Sequence, residues 1–251
     1  MTRSPLVFTA LCATMLLPLV LSPIANVDAQ AAPANTLTAA EREAGWKLLF
    51  DGTSLAAWRG YQQTDLPPEW VAVDGTMGKV KTTNDIVTRE QFGDFELVLD
   101  WKLALRGNSG IFYRATEKET KVYWSAPEYQ LAEDSLTPDS RNIMTSVAAV
   151  YGFYPSKRGV VRPAGEWNTT RIVAKGPHIE HWLNGQLIAA YEMWSDEWNR
   201  KLHGDPTDST KRPLKFAPYK DFAMAKRGHI AIQGDHNGAL SMRNIKIREL
   251  K

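Results

Sequence analysis

Residues 230–242, IAIQGDHNGALSM, join two strand-like runs through Gly234, Asp235, His236, Asn237 and Gly238. Glycine and asparagine supply positive φ cheaply and aspartate bonds its own backbone, but a turn has no use for an imidazole. His236 is therefore a candidate group at the edge of a site, with a solvated turn as the alternative. In RGNSGIFYR, Asn108, Ser109 and Gly110 read as a tight turn, and the strand that follows sets Phe112 and Arg114 on one face against Ile111 and Tyr113 on the other. An arginine beside an aromatic is costly on a core face, so the pair either lines a groove or belongs to an exposed ion pair. In APEYQLAED, Glu128, Gln130, Ala132 and Asp134 share one face if the strand is regular.

That strand does not support the usual two-carboxylate hydrolysis. Retaining glycosidases need carboxyls about 5–5.5 Å apart. Here Gln130 stands two residues after Glu128, Glu133 points to the opposite face, and Asp134 lies about 20 Å from Glu128 at strand rise. Flat aromatic rings that cover a sugar face are plentiful, but most of the nine tryptophans are expected in the core. The remaining histidines, His178, His181, His203 and His229, read as structural or solvated.

The elements that position these groups are almost all strands. FELVLDWKL alternates apolar and polar residues with period two. TRIVAKGPHIEHWLNGQLIAAYE carries Gly176-Pro177 and Asn184-Gly185 as turns between three short strands, and the final segment from Gly228 supplies two more. Only SDEWNRKL reads as helical, with Ser195 as N-cap. Residues 203–227 form a long polar loop broken by prolines, of the kind that covers a site or inserts without order. Its basic residues, Lys211, Arg212, Lys215, Lys220, Lys226 and Arg227, read as a solvated face. The economical architecture is all-β: an antiparallel two-sheet jelly-roll sandwich.

The 251-residue chain has a formal charge of +2, which gives no sign of a nucleic-acid binder. Its first 29 residues carry an arginine, an apolar run and a small-residue stretch, the pattern of a secretory signal with cleavage after Ala29. Pro18 and the shortness of the run argue against a retained membrane anchor. Residues 30–44 read as a polar linker and 45–251 as one domain. The expected compartment is the periplasm or the exterior. Cys12 is the only cysteine and lies in the signal, so the mature domain has no disulfide, thiol or cysteine–metal chemistry.

Six segments in order, GWKLLFDGTSLAAWRGY, GDFELVLDWKL, GNSGIFYR, PEYQL, GEWNTTRIVAKGPHIEHWLNGQLIAAYE and GHIAIQGDHNGALSMRNIKIREL, resemble the 3-keto-disaccharide hydrolase domain family over residues 45–250. The resemblance implies a concanavalin A-like jelly roll acting on glycosides whose C3 hydroxyl is oxidised to a ketone. It implies a site built from Arg114, Glu128, Gln130, Asp235 and His236, although the family often reads QDHG where this chain has QGDHNG. A 3-keto group acidifies the C2 proton, so elimination needs a base and a cation for the enolate rather than two carboxylates. His236 or Glu128 is then the candidate base and Arg114 the enolate partner, with Asn108, Phe112, Gln130, Asp134 and Asp235 around the saccharide. Glu128, Asp134 and Asp235 are also candidate oxygen ligands for a divalent cation in place of the arginine. The alternative function is a non-catalytic, lectin-like carbohydrate-binding module on the same scaffold.

Overall fold

The computed structural model describes Met1 and residues 33–251. Apart from Met1, the expected signal and its cleavage site lie outside the described residues. Within the expected linker, Thr38 and Glu41 form a capping box for the short helix α1 (Ala39–Glu43). Just before it, Asn35 exchanges hydrogen bonds with Asn244 (2.7 and 2.8 Å). These residues are docked on the domain because side chains satisfy their backbone.

The strands in chain order are β1 (Lys47–Leu48), β2 (Trp58–Gly60), β3 (Val71–Val73), β4 (Thr76–Lys79), β5 (Ile86–Thr88), β6 (Phe95–Leu103) and β7 (Asn108–Ala115). They continue with β8 (Glu128–Ala132), β9 (Asn168–Lys175), β10 (His178–Leu183), β11 (Gln186–Glu192), β12 (His229–Ile232) and β13 (Leu240–Glu249). One sheet runs β11-β10-β9-β6-β13-β4-β3 with β1 beside β13, and the other runs β2-β5-β12-β7-β8. Every pairing is antiparallel, as the alternating strands predict. The fold is the expected jelly-roll sandwich. FELVLDWKL coincides with β6, and Asn184-Gly185 makes the β10–β11 turn with Asn184 at φ +48°. Ser195 caps the helix α2 (Asp196–His203), its side chain accepting from the Trp198 N–H.

Leu97, Leu99, Trp101, Ile172 and Ile247 from the larger sheet meet Ile86, Ile111, Tyr129, Leu131 and Ile230 from the smaller in one buried core. Burial of this apolar area is the main stabilising term. Polar groups inside it are paired. His181 Nδ1 faces the Ala148 carbonyl oxygen at 3.1 Å, so that nitrogen donates. Nε2 then accepts from the Tyr113 hydroxyl at 2.9 Å. Burial holds His181 neutral, its pKa pushed down to about 3. The expected structural role of His181 is the one found.

Candidate active site

On β7 and β8 alternate side chains enter the core, so Glu128 and Gln130 project from the opposite, outer face of the smaller sheet. There they line a cavity of about 270 Å³ together with Gln233, Asp235 and His236 from the β12–β13 loop. Tyr123, Trp124 and Tyr151 supply flat rings, and Asp139 and Lys215 complete the wall. Apolar rings with a few convergent polar groups are the composition of a saccharide site. The sequence-named residues Glu128, Gln130, Asp235 and His236 are therefore brought together.

Burial raises the Glu128 carboxyl most; Lys215 opposes this and Asp139, Asp85 and Asp235 add to it, leaving the pKa at about 8. At neutral pH Glu128 is therefore a neutral acid. The Gln130 amide N–H donates to Glu128 Oε1 at 2.8 Å and to the Ser109 carbonyl at 3.2 Å; the carbonyl oxygen of a neutral carboxyl accepts such a bond, which leaves the acid's own O–H unspent. Beside it, Asn108 Nδ2 donates to Asp139 Oδ2 at 3.0 Å. Tyr151 fixes the far end by donating to Asp139 Oδ1 at 3.3 Å. Asn108 thus acts behind the cavity wall, orienting Asp139.

Gly110 lies opposite Gln130 in the β7–β8 register. A Cβ on Gly110 would come within 2.2 Å of Glu128 Oε1, so the glycine leaves the space that the carboxyl fills. Gly110→Ala is expected to displace this one flexible side chain and lower turnover at least about tenfold while leaving the core intact. Parallel kinetics and thermal melts check this. A fall in stability with unchanged turnover would contradict it.

The loop carrying Asp235 and His236 is anchored from both sheets. Lys79 of β4, only 1% exposed, donates from Nζ to the His236 carbonyl at 2.6 Å and the Gly238 carbonyl at 3.3 Å. Burial lowers the Lys79 pKa, against Asp235 and Asp85, which raise it. Gly234 donates to Asp85 Oδ1 at 2.7 Å, and a Cβ there would stand 2.3 Å from the Asn84 carbonyl. The longer QGDHNG loop is therefore seated, with the His236 side chain 46% exposed and its Nε2 4.0 Å from Asp235 Oδ1.

Three expected site residues lie elsewhere. The β7 turn falls at Arg106 (φ +62°) and Gly107, so Asn108 already belongs to the strand. Further along, Phe112 pairs with Ala231 but Ala115 pairs with His229, which inserts one extra residue in β7. At this bulge Arg114 adopts φ +55° and leaves the alternation. It is 1% exposed and donates to the Gly93 and Gly176 carbonyls and to Asp94 at 3.0, 2.8 and 3.0 Å. It ties the two sheets together and does not line the cavity. Phe112, opposite Glu128 in the β7–β8 register, is wholly buried against Tyr61, Val87 and Ala231 and does not line the cavity. Asp134 is off the β8 face because the Glu133 carboxylate accepts from the backbone of Ser135, Leu136 and Arg106 and ends the strand. It borders a separate cavity with Leu105 and Arg162. Glu128, Asp134 and Asp235 are consequently not one donor set, and no cluster of three or more His, Cys, Asp or Glu suited to a metal ion occurs among the described residues.

Sequence reasoning missed Tyr123, Trp124, Tyr151, Asp139 and Lys215. The neighbouring aromatics in VYWSAPEYQ were a usable signal for the first two; Asp139 and Tyr151 had none. Lys215 comes from the long loop read as a solvated face. The loop instead sends Phe216 and Phe222 into the core and sets Lys215 Nζ 4.5 Å from the Tyr151 ring centre, facing the cavity. This cation takes the position expected of Arg114.

A model of the 3-keto-alpha-glucoside-1,2-lyase-like domain matches residues 45–248. The chain is 29% identical over 229 residues to a 3-keto-disaccharide hydrolase of Bacteroides thetaiotaomicron, covering 82% of this chain and 79% of that protein. Crystal structures of two Parabacteroides distasonis proteins provisionally named glycosyl hydrolases are also similar. One is 28% identical, covers 87% of this chain and all of that one, and has a TM-score of 0.77. The other is 31% identical with 82% and 99% covered and a TM-score of 0.65.

Proposed function

The chain belongs to the 3-keto-alpha-glucoside-1,2-lyase-like domain family, and on that premise we propose that it cleaves 3-keto-glycosides by elimination. The carrying observation is the neutral, buried Glu128 in one cavity with the cation of Lys215 and the imidazole of His236. His236 takes the C2 proton, and the C–H electron pair moves into a C2=C3 enolate. Lys215 and the Glu128 O–H stabilise the enolate oxygen, a protonated carboxylic acid being a strong donor in a site sheltered from water. The enolate then re-forms the ketone, a C1=C2 double bond appears, the C1–O bond breaks, and the leaving oxygen takes up a proton from solvent while the His236 imidazolium returns its own to solvent. Addition of water across C1=C2 completes net hydrolysis. The proposal includes export, on the strength of the signal-like residues 1–29.

The test is turnover of 3-keto-trehalose beside trehalose. Only the oxidised sugar is expected to be cleaved, because a C3 alcohol does not acidify C2. Equal cleavage of both would indicate glycosidase chemistry. Binding without turnover of either would indicate a lectin-like module.

A further inference from the structure

We propose that the polar cavity beyond Asp235 is a second saccharide subsite, which holds the polyhydroxylated leaving group of the substrate. This deepens the reading above and rests on it. The second cavity, about 260 Å³, is lined by Gln62, Gln63, Asn84, Asp85, Lys121 and Asp235. Asp235 lines the first cavity as well, so its carboxyl stands at the boundary of the two. One oxygen, Oδ1, is buried without a hydrogen-bond partner and faces His236 Nε2 at 4.0 Å, while Oδ2 lies 3.7 Å from Lys121 Nζ on the other side.

The two cavities differ in chemistry. The first has Tyr123, Trp124 and Tyr151 for the face of a ring, whereas the second presents amides and charged ends. Its one aromatic, Tyr61, spends its hydroxyl on the Glu119 carbonyl at 2.6 Å. Gln62 Nε2 is held by the Glu117 and Glu119 carbonyls, both at 3.0 Å, which fixes the amide with its oxygen unspent. The side-chain amides of Gln63 and Asn84 have no hydrogen-bond partner among the described residues. Asp85 is buried, its Oδ1 taken by the Gly234 N–H. Burial first, and Asp235 in addition, raise its pKa to about 6, so near neutrality it exchanges a proton readily.

A ketosugar over the aromatic cavity with its C1–O bond at Asp235 puts the leaving group among these amides. Asp235 is then the group nearest the leaving oxygen. Sugar hydroxyls satisfy the amides and Asp85, whereas an aryl or alkyl leaving group strips them of water and gives nothing back. The subsite therefore selects a second sugar or another polyol.

The experiment compares 3-keto-trehalose with 4-nitrophenyl 3-keto-glucoside on the full chain and on the double variant Gln63→Leu, Asn84→Leu. Both positions are exposed, so folding is expected to be unaffected. With the sugar leaving group kcat/KM should fall about tenfold or more, the worth of two hydrogen bonds, while the aryl substrate should stay within about twofold. An equal fall for both substrates, or no fall for either, overturns the subsite. If the parent protein cleaves neither substrate, the elimination reading itself fails and takes the subsite with it.

Discussion

Glu128→Ala should lower kcat by about 10²–10³-fold, the size of the loss when one donor to a developing oxyanion is removed, whereas Glu128→Gln should keep most of that rate. The difference follows from protonation. At a pKa of about 8, Glu128 donates as a neutral acid at pH 7, and a glutamine N–H still donates from the same place. A general base leaves the opposite signature, since glutamine cannot accept a proton and both variants would be equally inactive. The pH profile gives a second reading. A required O–H makes activity fall as pH rises through about 8, and a required carboxylate makes it rise there. Lys215 lowers the Glu128 pKa, so Lys215→Met should move that limb to higher pH as well as weaken catalysis. Stability has the same origin: the folded-state pKa is raised above the ordinary carboxylate value of 4.5, so Glu128's contribution is fully present below pH 4.5 and is lost as pH rises through about 8. Glu128→Gln should flatten that part of the stability curve. A profile rising through pH 8, together with an inactive glutamine variant, would transfer the role of base to Glu128.

His236→Ala should reduce turnover by about 10²-fold or more, as expected for loss of a general base, with little change in melting temperature. Its side chain is half exposed, and the loop is held through the His236 and Gly238 backbone carbonyls by Lys79 rather than through the imidazole. The two readouts therefore separate cleanly. Substrate deuterated at C2 gives an independent check, because elimination transfers that deuteron to the base and on to solvent. Full retention of label in the released keto-sugar would exclude elimination whatever the variants show. An active His236→Ala would make the histidine a passenger of the turn.

Local pattern was enough for the sandwich. Apolar alternation in β6, the Gly-Pro and Asn-Gly turns around β10, and Ser195 ahead of α2 each report a structure whose determinants lie within a few residues. It was enough, too, to draw attention to Glu128 and Gln130, which share a strand face, and to His236, whose imidazole has no backbone role in a tight turn; Asp235, which a turn does explain, entered the site only through the family resemblance. The arginine in GIFYR could not be placed that way. Regular alternation predicts Arg114 beside Phe112, but the single-residue bulge against β12 is a property of strand pairing, and it turns Arg114 into a clamp between the sheets. Asp134 was lost for a similar reason, when Glu133 ended β8 by capping three backbone N–H groups. Lys215 and Asp139 carry no local mark at all. Their loops are positioned by Phe216 and Phe222 in the core and by Asn108 on a distant strand, so the cation and the carboxylate reach Glu128 only once long-range packing exists. The raised pKa of Glu128 belongs to the same class, because desolvation is set by what covers a residue and not by its neighbours in the chain.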